Sequence, residues 1–271
     1  MRQRSVIRVA RPLAVVAVAA GSLLAGCSAE PERTTEALRP LAAREQAYAI
    51  VSAGKEHRVT WTLVLANPNR WHFAENVVAT LVGRDAQGRE VVRSRHPVDA
   101  VPPGRTTAFS ATTSTTTPPA KVEISLESPQ WRKAARIPSA FKRFPVADLN
   151  TVKLRDGQYL VSGNLRNPFR KETATLTVTA VLRDRNGRTT GGRADFVEKV
   201  GPGTWRRFAI TVPKVTGGVD PERTEVFVTP WGSTAGPYEE LARAGAVPLH
   251  TDRPRTAPFP KERGGEAASF E

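Results

Sequence analysis

The chain has 271 residues, with 40 Lys and Arg against 26 Asp and Glu, a formal charge of +14, 39% hydrophobic residues and one cysteine. A single cysteine excludes an intramolecular disulfide framework and a cysteine-rich metal site. The length admits one or two domains, and no segment offers the roughly 20 consecutive apolar residues that a spanning helix needs.

Residues 1–26 open with Arg2, Arg4, Arg8 and Arg11, without an acidic residue, and continue into "LAVVAVAAGSLLA". That run is short and broken by Gly21 and Ser22, so it reads as an export signal rather than a membrane span. It lacks an Arg-Arg pair, which points to the general secretion route over the twin-arginine one. The signal ends in Leu24-Ala25-Gly26-Cys27, which resembles the lipobox of bacterial lipoprotein signal peptides. The resemblance implies cleavage before Cys27 and diacylglyceryl attachment to its sulfur; the alternative is an ordinary cleaved signal in which Cys27 is incidental. Two acyl chains anchor a protein stably where one does not, so the expected location is the extracytoplasmic face of the cell membrane. Cleavage would remove four arginines and take the charge from +14 to +10. Residues 27–45 then read as a lipidated tether, with a short helix as one option around "TTEALRPLAAREQ".

Self-comparison reveals a repeat. "LVLANPNRW" matches "GNLRNPFRK", "LVGRDAQGRE" matches "AVLRDRNGRT", "VPPGRTTAF" matches "VGPGTWRRF" and "SLESPQW" matches "VFVTPW". The landmark pairs Asn67/Asn167, Asp85/Asp184, Gly104/Gly203, Phe109/Phe208 and Trp131/Trp231 keep one register with single-residue slips. The copies span 46–131 and 147–231. Val59, Trp61, Leu63 and Leu65 recur at a period of two, and Tyr159, Val161, Gly163 and Leu165 answer them. This is the alternation of strands with one buried and one wetted face. Asp85 to Gly88 and Asp184 to Gly187 each place Asp first and Gly fourth, the pattern of a type I turn closed by a left-handed glycine. The expected class is therefore all-β: two tandem antiparallel immunoglobulin-like β-sandwiches. The strand, "L-R-D-x-N/x-G" turn, strand, "PG" and phenylalanine order resembles the FxLYD-type domains of bacterial lipoproteins. Where that family carries Leu-Tyr-Asp, this chain carries Leu182-Arg183-Asp184 and Gly83-Arg84-Asp85. The resemblance implies a binding or scaffolding module.

Between the copies, residues 132–146 form a basic linker with Arg132, Lys133, Arg136, Lys142 and Arg143 and no acid. The tail, 232–271, is expected to be largely disordered after one helical turn at "PYEELARAG". The "TTSTTTPP" run near 112–119 reads as a flexible loop, with O-glycosylation as the alternative.

Catalytic chemistry finds little support: His57, His72 and His96 have no histidine counterpart in the second copy, His250 lies in the tail, and no G-x-S-x-G occurs. His72 and Glu75 alone do not make a metal site, and Asp85 and Asp184 are turn residues. No catalytic residue, metal or cofactor is assigned. The candidate binding surface joins the loop residues Arg70, Trp71 and Phe73 to the linker cations, because the second copy lacks those aromatics and Trp and Arg dominate many interfaces. The competing reading packs Trp71 or Phe73 against the other domain or the linker. Trp131 and Trp231 read as structural closures of their domains. Expected partners are the membrane through Cys27 and an anionic lipid, an envelope polymer or another envelope protein, and not nucleic acid. The sequence thus points to a non-catalytic envelope binding module. The alternatives are a secreted enzyme or enzyme accessory with an unrecognised site, or a small-solute or metal carrier, which would need a cleft between the domains.

Overall fold

A computed structural model describes residues 37–248 apart from Thr216; Cys27, His250 and the signal lie outside the described residues. The fold is all-β, as expected, with one short helix. The first repeat contains β1 (Ala42–Ala53), β2 (Glu56–Ala66), β3 (His72–Glu75), β4 (Val78–Arg84), β5 (Glu90–Pro97), β6 (Thr106–Thr115), β7 (Lys121–Leu126) and β8 (Gln130–Lys133). The second contains β9 (Val146–Lys153), β10 (Tyr159–Arg166), β11 (Thr175–Arg183), β12 (Thr189–Glu198), β13 (Trp205–Val212) and β14 (Glu225–Pro230), followed by α1 (Gly236–Ala244).

The internal repeat extends to topology. Sheets ordered β1-β2-β6 and β5-β4-β7 in the first copy correspond to β9-β10-β13 and β12-β11-β14 in the second, all antiparallel, and β3 pairs with β8 as a separate ribbon. Each copy has a core drawn from both of its sheets. Val59, Trp61, Leu63 and Leu65 of β2 meet Ala79 and Leu81 of β4; Val161 and Leu165 of β10 meet Leu176, Val178, Ala180 and Leu182 of β11. The two Asp turns are superposable in their bonding. Asp85 Oδ1 accepts from the N–H groups of Gln87 and Arg89, both at 2.9 Å. Asp184 Oδ1 accepts from Asn186 at 2.8 Å and Arg188 at 2.9 Å. Gly88 and Gly187 follow at φ of 80° and 78°, where a Cβ would be strained.

The expected alternation of buried and wetted faces fails at β2 and β11. Thr60, Thr62 and Val64 are buried as well as their neighbours, and so are Thr177, Thr179 and Val181. The reason is that the two copies stack: β12 lies against β1, β2 and β6, and β11 and β14 against β6. Sheets β1-β2-β6 and β12-β11-β14 therefore form the inner layers of one compact unit that begins at Leu38. Val64, Ala108 and Val181, with Phe227 beside them, make the apolar part of this junction. Hydroxyls make the rest: Thr60 bonds Thr112 at 2.9 Å, Thr62 Oγ1 donates to Ser110 Oγ at 3.1 Å, and Ser110 Oγ lies 3.1 Å from the Gly192 carbonyl. Threonine suits this position because it prefers strands and its hydroxyl finds partners across the sheet.

Four further expectations need correction. The option of a helix within 34–46 fails from Ala42 onward, where β1 already pairs with β2. Residues 132–146 are not purely a linker, since β8 extends to Lys133 and Phe141 and Phe144 are buried. Thr112 to Thr115 belong to β6, and Thr115 is buried with its hydroxyl donating to the Val91 carbonyl at 3.0 Å. Within the described part of the tail, 232–248, the helix exceeds the one turn expected: α1 buries Tyr238, Leu241 and Ala242. It packs because those apolar residues fall at helical spacing on one face.

Candidate functional site

The loop after β2 is held by a buried side chain. Asn67 donates through Nδ2 to the carbonyls of His72 at 2.7 Å and Val101 at 3.1 Å, and its Oδ1 accepts from Asn69 N at 2.9 Å. Asn167 repeats the arrangement with Lys171 at 2.7 Å, Val200 at 2.8 Å and Phe169 N at 2.9 Å. The copies then diverge two residues on. Phe169 is buried, its ring 5.7 Å from that of Phe144, and the backbone beside it receives the outgoing chain through Arg170 N to Gly245 O and Val247 N to Pro168 O. Asn69 instead receives the incoming chain, bonding Arg39 N at 2.9 Å and Arg39 O at 2.7 Å, while Arg39 Nη2 donates to Pro68 O at 3.1 Å.

The candidate surface is divided by the structure. Arg70 and Trp71 are exposed, Trp71 at 48%, and the Trp71 carbonyl accepts from Ala134 N at 2.8 Å, which brings the linker alongside. Arg132, Lys133, Arg136, Lys142 and Arg143 are exposed too. Arg132 reaches Glu75 Oε1 at 3.3 Å, and that buried carboxylate also accepts from Ala235 N at 2.6 Å. Phe73 does not belong to the surface. It is fully buried, packed edge-on against Phe141 at 4.9 Å and beside Tyr238 at 5.6 Å, because linker and helix both close over it. The competing reading was right for Phe73. Trp131 and Trp231 are equivalent only in position: Trp131 packs on the first core, whereas Trp231 is 59% exposed.

The histidines do not gather. His57 Nδ1 meets Ser52 Oγ at 2.7 Å on the exposed β1–β2 hairpin, and His96 Nε2 meets Ser94 Oγ at 2.7 Å on β5. His96 also lies against Trp61 and Phe109, and burial pushes its imidazole below the usual range, leaving it neutral at pH 7. His72 stands opposite Lys133 in the β3–β8 ribbon. Among the described residues no group of three or more His, Cys, Asp and Glu is placed to hold a metal ion.

What the fold does build is a cleft of about 510 Å³ between the copies. Its walls come from the start of β1, the 102–107 segment, linker residues 141–144, β14 and Tyr238 of α1. Five cations line it, Arg44, Arg105, Lys142, Arg143 and Arg183, against the carboxylates Glu45 and Glu225. Both carboxylates are committed to Arg183, Glu45 through Arg183 Nη1 and Glu225 through Nη2 at 2.8 Å. Burial alone would raise the Glu45 carboxyl, but bonds from Arg183 and Thr189 outweigh it and hold the group below its ordinary value. The other four cations form no ion pair among the described residues. Arg105 is half-buried and donates through Nη2 to the Phe141 carbonyl at 3.1 Å; burial, then the charge of Arg143, push its guanidinium down. Deeper in the junction, Asp99 accepts from Gly232 N at 2.8 Å and Thr229 Oγ1 at 3.1 Å, and desolvation raises its carboxyl above the ordinary value.

Sequence reasoning missed Arg44, Arg105, Arg183 and Asp99. One signal existed: arginine stands directly before the turn aspartate in both copies, Arg84 before Asp85 and Arg183 before Asp184. Arg84 Nη1 braces the turn at Gly88 O, 3.1 Å away, and Arg183 Nη1 does the same at Gly187 O, 2.9 Å away. No protein-family model matches the chain, and no curated protein matches it in sequence.

Proposed function

We propose that the chain is an extracytoplasmic lipoprotein, anchored to the cell membrane through Cys27, whose two tandem immunoglobulin-like β-sandwiches act as a non-catalytic binding or scaffolding module at the envelope. Supporting the sandwich assignment are the same strand order in both copies and a core shared by each pair of three-stranded sheets. The observation that carries the membrane reading is where the chain enters the folded unit. Arg39 is pinned by Asn69, next to exposed Arg70 and Trp71 and the adjoining basic linker. The interval from Cys27 to Leu38 spans at most about 40 Å when fully extended, so a lipid at Cys27 would leave these cations within reach of an anionic surface, where each gains about 1 kcal/mol on coming within a Debye length. Against catalysis stand the separated Ser–His contacts, each without a carboxylate partner among the described residues.

The lipoprotein reading is tested by Cys27→Ser in cells. The variant is expected to be released to the medium or to keep residues 1–26, and to lose incorporation of labelled fatty acid. Unchanged processing together with unchanged membrane retention would overturn it. A second reading, a small-solute carrier, is favoured by the inter-copy cleft.

A further inference from the structure

We propose that the cleft between the two copies is a binding site for a small amphipathic anion, a phosphate or carboxylate group joined to an apolar body. The inference deepens the binding-module reading and rests on it, but not on lipidation of Cys27. Its volume, about 510 Å³, falls within the roughly 300–1,000 Å³ of small-molecule sites, which favour junctions between domains. Neither copy contains the site alone: Arg44 and Arg105 come from the first, Phe227 and Val228 from the second, and Lys142 and Arg143 from the segment joining them.

The charge arrangement selects the ligand. Guanidinium groups stay ionised at any ordinary pH, so Arg105 and Arg143 remain like charges whose repulsion, with partial burial, disfavours the pair as it stands. The cleft's two carboxylates cannot relieve this, because Arg183 holds both. An anion placed among Arg44, Arg105, Lys142 and Arg143 would, since charge-assisted bonds to phosphate or carboxylate are the strong ones and arginine offers a bidentate fork. The apolar body is selected by Val64, Phe141, Phe144, Phe227 and Val228 on the walls. A free phosphate would leave that surface in water, and a neutral hydrocarbon would leave the cations unpaired.

The folded unit begins at Leu38, so the test uses unlipidated chain starting at Ser28. Calorimetric titration compares lauryl phosphate below its micelle concentration, dodecyltrimethylammonium with the same tail, and inorganic phosphate. Lauryl phosphate is expected to bind at one site at least about tenfold tighter than either comparison ligand. Arg105→Ala/Arg143→Ala is expected to weaken it at least tenfold, and Arg93→Ala, on the distant surface of β5, to leave it unchanged. Because Arg105 also holds the Phe141 carbonyl, the exposed pair Lys142→Glu/Arg143→Glu serves as a second variant with the same expectation. Equal binding of both tails, or undiminished binding in both cleft variants, overturns the proposal. Vesicles with and without phosphatidylglycerol distinguish the source: displacement of lauryl phosphate by the anionic vesicles assigns a bilayer headgroup, and no displacement assigns a free anion. Absence of lauryl phosphate binding by the unsubstituted chain, with Cys27→Ser released or unprocessed as expected, would sink the cleft proposal and leave the anchor standing.

Discussion

Asp99 shows what one side chain at the junction does. It belongs to the first copy, yet its carboxylate accepts from Gly232 N and Thr229 Oγ1 of the segment closing the second, while Ala100 N donates to Gly232 O at 2.9 Å. Desolvation outweighs these bonds and raises its pKa from the ordinary 3.8. The folded state therefore holds a proton that the unfolded state has released, and stability contributed by this group falls as pH rises from about 3.8 through the folded value. Asn accepts the same N–H without ionising. Asp99→Asn is expected to flatten the pH dependence of urea unfolding across that window and to match or exceed wild-type stability at pH 7. A variant whose stability falls with pH as steeply as wild type would show that Asp99 is not the group responsible. Asn67 and Asn167 act at the same scale. Their spacing was legible as a repeat landmark, but their role was not, because a buried amide tying three backbone segments looks in sequence like any loop asparagine.

Among the elements, β2 and β11 depart furthest from what their sequences say. The apolar residues of β2 fall on one face as read, and that face is the first core. The other face, Thr60, Thr62 and Val64, was expected to be wet and is buried. Its threonines look polar, yet their hydroxyl partners lie on β6, and only the packed structure reveals that β12 covers them. Close approach depends on Gly192. A Cβ there would lie 2.4 Å from the Ala180 carbonyl oxygen and 3.0 Å from Thr62 Oγ1. No real Cβ tolerates that, so strand or sheet must shift. Overpacking of this kind costs about 1–3 kcal/mol or more. Gly192→Val is accordingly expected to lower the urea midpoint markedly, whereas Gly88→Ala, which meets no neighbour within 4 Å, suffers only its local backbone strain at φ 80°. Equal losses at the two sites would mean that β12 does not sit this closely on β11 and β2.

At the scale of the whole chain, two copies were legible from landmarks such as Asp85/Asp184 and Gly104/Gly203, because turns demand particular residues at fixed offsets. The cleft was not, because it is made by residues distant in sequence whose conjunction exists only after the copies stack: Arg44 at the start of β1, Arg105 in a turn, Arg143 in the linker. The same stacking limits what an isolated copy can do. Residues 140–235 contain a full set of second-repeat strands, but that fragment would expose Val181 and Phe227 of the junction and lack Leu241, which α1 delivers into the second core. The helix also ties back to the first copy and the linker, with Tyr238 against Phe73 and Glu239 Oε1 accepting from Ala135 N at 2.9 Å. Shared burial makes the copies unfold together, so the chain from Ser28 is expected to melt in one calorimetric transition whose van't Hoff and calorimetric enthalpies agree. The 140–235 fragment is expected to melt lower by about 10 °C or more, since a few kcal/mol moves a domain of this size that far. Two resolved transitions in the intact chain, one coinciding with the fragment's own, would mean that the copies are neighbours without being coupled, and the cleft between them would then open and close at little cost.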